Sequence, residues 1–291
     1  MNRAKALAGA AFAAPAFALM LALLIGPLVV LLVLSVTDYR LGALAVRFVG
    51  LGHYAALFED AVFRRALQNT FLYVAFVLPG AVFGGLGIAL LVHARTRTRS
   101  VYEVIYFLPV TSTLVAMATV WQFMLHPSLG PVSAAFAALG FAGVDLLNDP
   151  DLALGSIALI GLWQQIGFNM VLFLAGLSAI PRDLYEAAAL DGAGGGADRF
   201  LRVTWPLLGP TTMFVTITST IAAFKVFDTV AVLTRGGPLG STETLLYVLY
   251  LEGFQYFRTG YAAAMTVVLL AFLIILSILQ ARAIDRRVHY A

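Results

Sequence analysis

The sequence predicts an all-α integral membrane protein with six transmembrane helices, and three observations carry that reading. Of its 291 residues, 61% are hydrophobic and only 11% charged, against roughly 25% charged residues in a soluble domain. Apolar runs long enough to cross a bilayer alternate with short charged loops. The basic residues also follow those loops alternately along the chain and do not gather into one surface. That pattern argues against reading the net charge of +3 as a nucleic-acid footprint.

The first apolar run, about 10–36, follows Arg3 and Lys5. It is much longer than the roughly 7–15-residue core of a signal peptide, so it reads as a retained span. Pro15, Gly26 and Pro27 are tolerable kinks there. A mixed stretch from Thr37 to Arg65 follows, in which 51–67 has the pattern of a short amphipathic helix outside the bilayer. The second span, about 69–93, contains Pro79, Gly80, Gly84, Gly85 and Gly87, small residues that permit close helix packing in lipid. Arg95, Arg97 and Arg99 mark the next loop. The third span covers about 101–125, and the loop after it has Asp145, Asp149 and Asp151 but no basic residue. The fourth, fifth and sixth spans fall at about 152–179, 207–233 and 261–283.

Between the fourth and fifth spans lies a long charged interruption with Arg182, Asp183, Glu186, Asp191, Asp198, Arg199 and Arg202. Each charge at a bilayer centre costs about 2.5–3.5 kcal/mol on insertion scales, so this segment belongs in water. Pro181 suits a first helical turn, Asp183 places negative charge at the amino end, and Leu184 to Leu190 are mostly good helix formers. Gly192 then stops the helix as a residue able to turn left-handed. Tyr185, Ala188 and Ala189 fall at helical spacing and form a small-residue face with Glu186 beside it. An ordinary solvated loop helix and a docking helix both fit these residues.

Six spans put both termini on one side. That side carries eleven Lys and Arg residues against six on the other, with Lys225 inside a span. The positive-inside rule therefore makes both termini and the Glu186 loop cytoplasmic.

Glu186-Ala187-Ala188, Gly192 six residues after the glutamate, and Val203-Thr204-Trp205-Pro206-Leu207-Leu208 resemble the EAA loop of permease subunits of binding-protein-dependent ABC importers. Leu174-Ala175-Gly176-Leu177, Ile180-Pro181, Phe227-Asp228 and Leu233-Thr234-Arg235-Gly236-Gly237-Pro238 are similar to the sugar and glycerol-3-phosphate, maltose-permease-like branch. The resemblance covers most of the chain. It implies an ABC type-1 importer permease fold, with a cytoplasmic coupling helix between spans four and five. Tyr185, Glu186, Ala187, Ala188, Asp191 and Gly192 would then contact an ATPase. Two departures stand out: the run Gly194-Gly195-Gly196 is one residue longer than the usual spacing, and Trp205 replaces a more common leucine.

The implied partners are a second related permease, with a heterodimer expected, two ATP-binding subunits, an extracytoplasmic solute-binding protein and the lipid bilayer, without nucleic acid. No cofactor is expected on this chain, ATP and Mg being held by the partner subunit. The implied layout is an amino-terminal helix and periplasmic segment at 1–65, an ABC type-1 transmembrane domain at 66–285 and a cytoplasmic tail at 286–291, in the inner membrane.

Catalytic patterns are absent. With only Lys5 and Lys225 in the chain, no Gly-x-x-x-x-Gly-Lys-[Ser/Thr] phosphate loop exists. There is no His-Glu-x-x-His or Gly-x-Ser-x-Gly segment, and His53, His93, His126 and His289 are scattered. The chain is therefore not expected to be an enzyme, and no metal site is expected. Cysteine is missing, which removes disulfides.

Within the spans, Gln165 and Asn169 share a helical face with Gln164 nearby, and either join helices or line a solute path. Lys225 and Asp228 are three apart, close enough to pair across one turn, and read as shaping an outer gate. Gly236, Gly237 and Pro238 form either a tight turn or a contact for the binding protein. Trp121, Trp163 and Trp205 read as interface belt residues. An ion-gradient-driven secondary transporter is the rival function, but the sequence shows no midplane acid and no clear inverted repeat.

Overall fold

The computed structural model describes residues 3–285 except Leu44, Thr96, Ala142 and Gly194. The tail 286–291 and Gly194 of the longer glycine run therefore lie outside the described residues. The described chain is helical, with one isolated antiparallel bridge between Thr37 and Phe48.

Helix α1 (Arg3–Met20) passes through a π turn at Leu21–Ile25 into α2 (Gly26–Ser35). Pro27 cannot donate to the turn behind it. The wider turn, closed by the Gly26 N–H on the Leu21 carbonyl, absorbs the misfit without ending the span. Helix α3 (Gly52–Glu59) stops at Asp60, whose extended backbone separates it from α4 (Ala61–His93). The amphipathic helix expected over 51–67 is thus divided, and the second span begins at Ala61, not near residue 69.

The third span is also corrected. α5 (Arg99–Thr111) and α6 (Leu114–Met124) meet at 99° where one helix over 101–125 was expected. Ser112 is extended, and the Thr113 side chain caps α6 by accepting the Ala116 N–H at 3.4 Å. A helix stop and a new start are thereby hidden inside continuous apolarity. After the short α7 (Pro131–Ala138), α8 (Ala153–Ser178) fills the fourth span as expected.

Helix α9 (Arg182–Leu190) is followed by α10 (Gly196–Arg199), a π turn at Phe200–Thr204, α11 (Trp205–Leu207) and α12 (Gly209–Phe224). The segments Gly196–Leu207 and Gly209–Phe224 are bent by 69°. The fifth helix ends at Phe224, not near residue 233, because the backbone leaves helical geometry at Lys225. A π turn at Val230–Thr234, α13 (Leu245–Tyr250), a further π turn at Leu251–Gln255 and α14 (Thr259–Asp285) complete the described chain. Among the described residues four helices are long and apolar enough to cross a membrane, or up to six spans if each bent pair counts as one.

The chain divides into two compact units: residues up to Ala61 with Leu249–Phe272, and Val62–Val248 with Leu273 onward. In the first unit, most apolar side chains from Phe12 to Val33 are exposed along α1 and α2, as suits a helix solvated by lipid. Beyond α2, Tyr54 donates to the Ser35 hydroxyl at 2.8 Å, and the His53 ring meets the Thr37 carbonyl at 2.8 Å. Gly260, at the start of α14, leaves no room for a side chain against that same carbonyl.

The second unit is centred on a core in which Val82, Leu86 and Ala89 of α4 meet Met170, Phe173 and Leu177 of α8, with Leu208 and with Val215 of α12. The glycines of α4 explain how closely these helices approach. A Cβ on Gly85 would sit 2.6 Å from that of Asn169, and one on Gly80 2.8 Å from Leu162. Gly84 faces Ile166 in the same row, whereas Gly87 faces open space.

Candidate functional site

Three regions hold the residues singled out by sequence. The first is α9 and its exit. Arg182–Leu190 is helical, and Gly192 follows at φ +89°, the left-handed stop expected of it. Its Cβ position is open, so conformation and not space demands glycine. The inward face differs from expectation. Tyr185 and Ala188 are half-buried, whereas Glu186, Ala187 and Ala189 are exposed and Leu190 is 90% exposed. The Tyr185 hydroxyl meets the Thr204 hydroxyl at 3.0 Å, so Tyr185 fastens α9 to its own chain. Asp191 caps the carboxyl end of the helix and is exposed. Ala193 is buried, and its carbonyl accepts from Arg199 Nε at 3.1 Å. That bond folds the exit back on itself.

The second region is a cavity of about 110 Å³ with mixed walls that brings together Tyr73, Gln164, Gln165, Lys225 and Asp228. Asn169 is not among its walls. It is fully buried and exchanges hydrogen bonds with Ser219 of α12, Nδ2 to Oγ at 2.9 Å and Oγ to Oδ1 at 3.1 Å. Of the two readings open for these amides, Asn169 takes the helix-joining one, while Gln165 borders the cavity and also donates to Ser219 Oγ at 3.4 Å and Asn169 Oδ1 at 3.5 Å. Lys225 and Asp228 form no ion pair. The expected pairing relied on a helical turn, and α12 has already ended when the chain reaches Lys225. Both side chains still line the same cavity.

The third region is the turn after the π segment at Val230–Thr234. Arg235 (φ +52°), Gly236 (φ +83°), Leu239 (φ +52°) and Gly240 (φ +78°) are all left-handed. Thr242 ties the turn together, donating to the Gly237 carbonyl at 2.6 Å and meeting the Thr234 hydroxyl at 2.7 Å. Arg65 of α4 grips Glu243 at 2.5 Å, and Asn69 donates to the Gly240 and Glu243 carbonyls at 3.0 Å. Gly236 is buried, with no space for a Cβ against Glu243 and Tyr247. Gly236 and Gly237 therefore build the turn, while Leu239, 89% exposed, and Arg235 stand at its surface beside Pro238.

Sequence reasoning missed a larger cavity of about 450 Å³ in the first unit, lined by Tyr39, Arg40, His53, Glu59, Arg258 and Tyr261 among others. Its residues come from three separate stretches of the chain, and no local motif marks them. Trp121 and Trp163 meet edge to face, centroids 5.5 Å apart, a pairing their separate positions did not announce.

Residues 81–290 match the model of the family described as binding-protein-dependent transport system inner membrane component. The chain is 35% identical over 252 residues to the sn-glycerol-3-phosphate transport system permease protein UgpA of Agrobacterium fabrum (strain C58 / ATCC 33970), covering 85% of this chain and 84% of that protein. The chain belongs to the binding-protein-dependent transport system inner membrane components. The UgpA of Brucella suis biovar 1 (strain 1330) is 36% identical over 251 residues, with 84% and 83% covered. The fold is also that of a chain in the crystal structure of a bacterial ABC transporter involved in the import of the acidic polysaccharide alginate. That match has a TM-score of 0.82 at 22% identity and covers 95% of this chain and 94% of that one. A second structure, with alginate pentasaccharide-bound periplasmic protein, matches at TM-score 0.83 and 22% identity, covering 95% and 93%.

As a member of this family, the chain is a multi-pass inner-membrane permease of an ABC importer, not an enzyme. The rival reading as an ion-gradient-driven carrier is set aside. The fold is that of a type-1 importer permease, with the Glu186 helix α9 between its fourth and fifth spans.

Proposed function

We propose that this permease imports a carbohydrate or polyol-phosphate type solute and takes its driving force from separate ATPase subunits docked on α9. The observation that carries the reading is the outward face of α9. Glu186 makes no ion pair among the described residues, and one turn further on Leu190 is 90% exposed. A carboxylate beside a solvated leucine suits an apolar cleft edged by a basic residue. Tyr185 and Thr204 transmit force from that helix to the segment leading into α12.

The solute class is supported by the names of the glycerol-phosphate relatives and by the cavity itself. Lys225 offers a cation there without an ion partner among the described residues, and Gln164 and Gln165 offer amides. A phosphate-bearing polyol fits that chemistry if its phosphate meets Lys225 and its hydroxyls meet Asp228 and the amides. The assembly comprises this chain, a second related permease in a heterodimer, two ATP-binding subunits carrying ATP and Mg, and an extracytoplasmic binding protein whose contact includes Arg235, Pro238 and Leu239. Both termini and α9 are cytoplasmic. Closure of the ATPases moves α9 and rocks the spans between inward-facing and outward-facing states.

The test is purification and reconstitution with co-expressed partners. Glu186→Lys is expected to abolish uptake and to weaken ATPase association or its stimulation, while solute binding to the separate binding protein stays normal. Unchanged stimulation and assembly would reduce α9 to a solvated loop.

A further inference from the structure

Helices α5 and α8 pack together where Gly167 lies against the Tyr106 carbonyl, leaving no room for a Cβ, with Val110 beside it. Toward Arg99 and Ser178 they separate, and a groove of about 390 Å³ opens between Val104 and Phe107 on one side and Val171, Leu174 and Ala175 on the other. Its walls are apolar, and its polar groups, Arg99, Glu103 and Ser178, sit together at one end. We infer that this groove holds an anionic phospholipid, with its phosphate at the Arg99 mouth and an acyl chain along α5 and α8.

Length supports a lipid over a protein segment. From Arg99 to Phe107 a helix rises about 12 Å, which fits within one leaflet's share, about 15 Å, of the hydrocarbon core. A transmembrane helix of another subunit would need a groove through both leaflets.

Charge decides the headgroup. Arg99 Nε is held by Glu103 at 2.7 Å, while its Nη2 reaches across the mouth to Ser178 Oγ at 3.5 Å. Glu103 alone would repel a phosphate, but cations outnumber it. Arg95 and Arg97 precede Arg99 in the same loop, exposed and without an ion pair among the described residues. Arg182, at the start of α9, lies on the same side, since it and Arg99 both stand near His93 at the end of α4. Three elements thus bring positive charge to one end of an apolar slot, the arrangement by which cytoplasmic-side helices recognise anionic headgroups.

The experiment uses the assembled transporter, purified in mild detergent and exchanged into mixed micelles of phosphatidylglycerol and phosphatidylcholine, with retained lipid counted by native mass spectrometry. Phosphatidylglycerol is expected to be retained preferentially. Arg99→Gln should lower its affinity about fivefold, the effect of one basic contact at a membrane surface, and Arg99→Lys should largely preserve it. Ala175→Phe fills the groove and should displace the lipid with the charges intact. Equal retention of the two lipids would overturn the assignment, as would retention unchanged in both Arg99→Gln and Ala175→Phe. A lipid-independent cross-link from position 104 to another subunit would also overturn it, because protein would then cover the groove.

Discussion

Asn169 and Ser219 are buried against each other between α8 and α12, 0% and 1% exposed, and each donates a hydrogen bond to the other. Two groups that satisfy one another in this way join helices and leave little hydrogen-bonding capacity for a passing solute. Asn169→Ala is expected to lower stability by about 1–2 kcal/mol, the upper part of the range for interhelical bonds in membranes. Ser219→Ala should do the same, and the double change should cost less than the two single costs added together. Thermal unfolding in detergent measures this, alongside a solute KM that stays unchanged.

Lys225 and Asp228 line one cavity without pairing. Their replacements by alanine should therefore act additively on uptake, with a coupling of no more than about 0.5 kcal/mol. Rescue of Lys225→Ala by Asp228→Ala in a double-mutant cycle would show that the working transporter does form the pair.

Gly192 is held at φ +89° with open space at its Cβ position. Gly192→Val should cost on the order of 1–2 kcal/mol in backbone strain, and Gly192→Asn much less, since asparagine enters that region more easily. Uptake and ATPase stimulation should fall in the same order. Equal effects of the two replacements would point to lost side-chain space, contrary to the geometry.

The topology can be read with an impermeant thiol reagent, because the chain has no native cysteine. Ala193 is buried and would be shielded on either side of the membrane, so the informative probes are Leu190→Cys and Leu239→Cys, at residues 90% and 89% exposed. In intact cells the second should react and the first should not. The reverse pattern would invert the orientation and detach α9 from cytoplasmic ATPases.

Gly85→Val forces a side chain into the α4–α8 contact, where its Cβ would lie only 2.6 Å from the Asn169 Cβ. Overpacking of this kind typically costs about 1–3 kcal/mol. Gly87→Val, facing open space, serves as its control, and the difference in thermal stability between the two variants measures that contact.

The sequence by itself determined the membrane class, the approximate spans, the helix of Arg182–Leu190 and its stop at Gly192. Each depends on composition or on neighbours within a turn or two: apolar length, capping chemistry and the left-handed preference of glycine. It did not reveal that the third span bends at Ser112, because a Thr113 cap inside an apolar run leaves hydropathy unchanged. Nor did it reveal that α12 ends before Lys225, and a helical spacing drawn through that break produced a pair that does not form. Only the tertiary structure decided that Tyr185 turns inward to Thr204, that Asn169 faces Ser219 fifty residues away, and that Gly236 is buried while Leu239 is exposed. These outcomes depend on which side of each helix meets another part of the chain. Side-chain direction in α8, a helix of nearly uniform hydrophobicity, carries no local mark, and the partners of Tyr185 and Gly236 lie beyond their own turn, so packing against distant residues had to supply the answer.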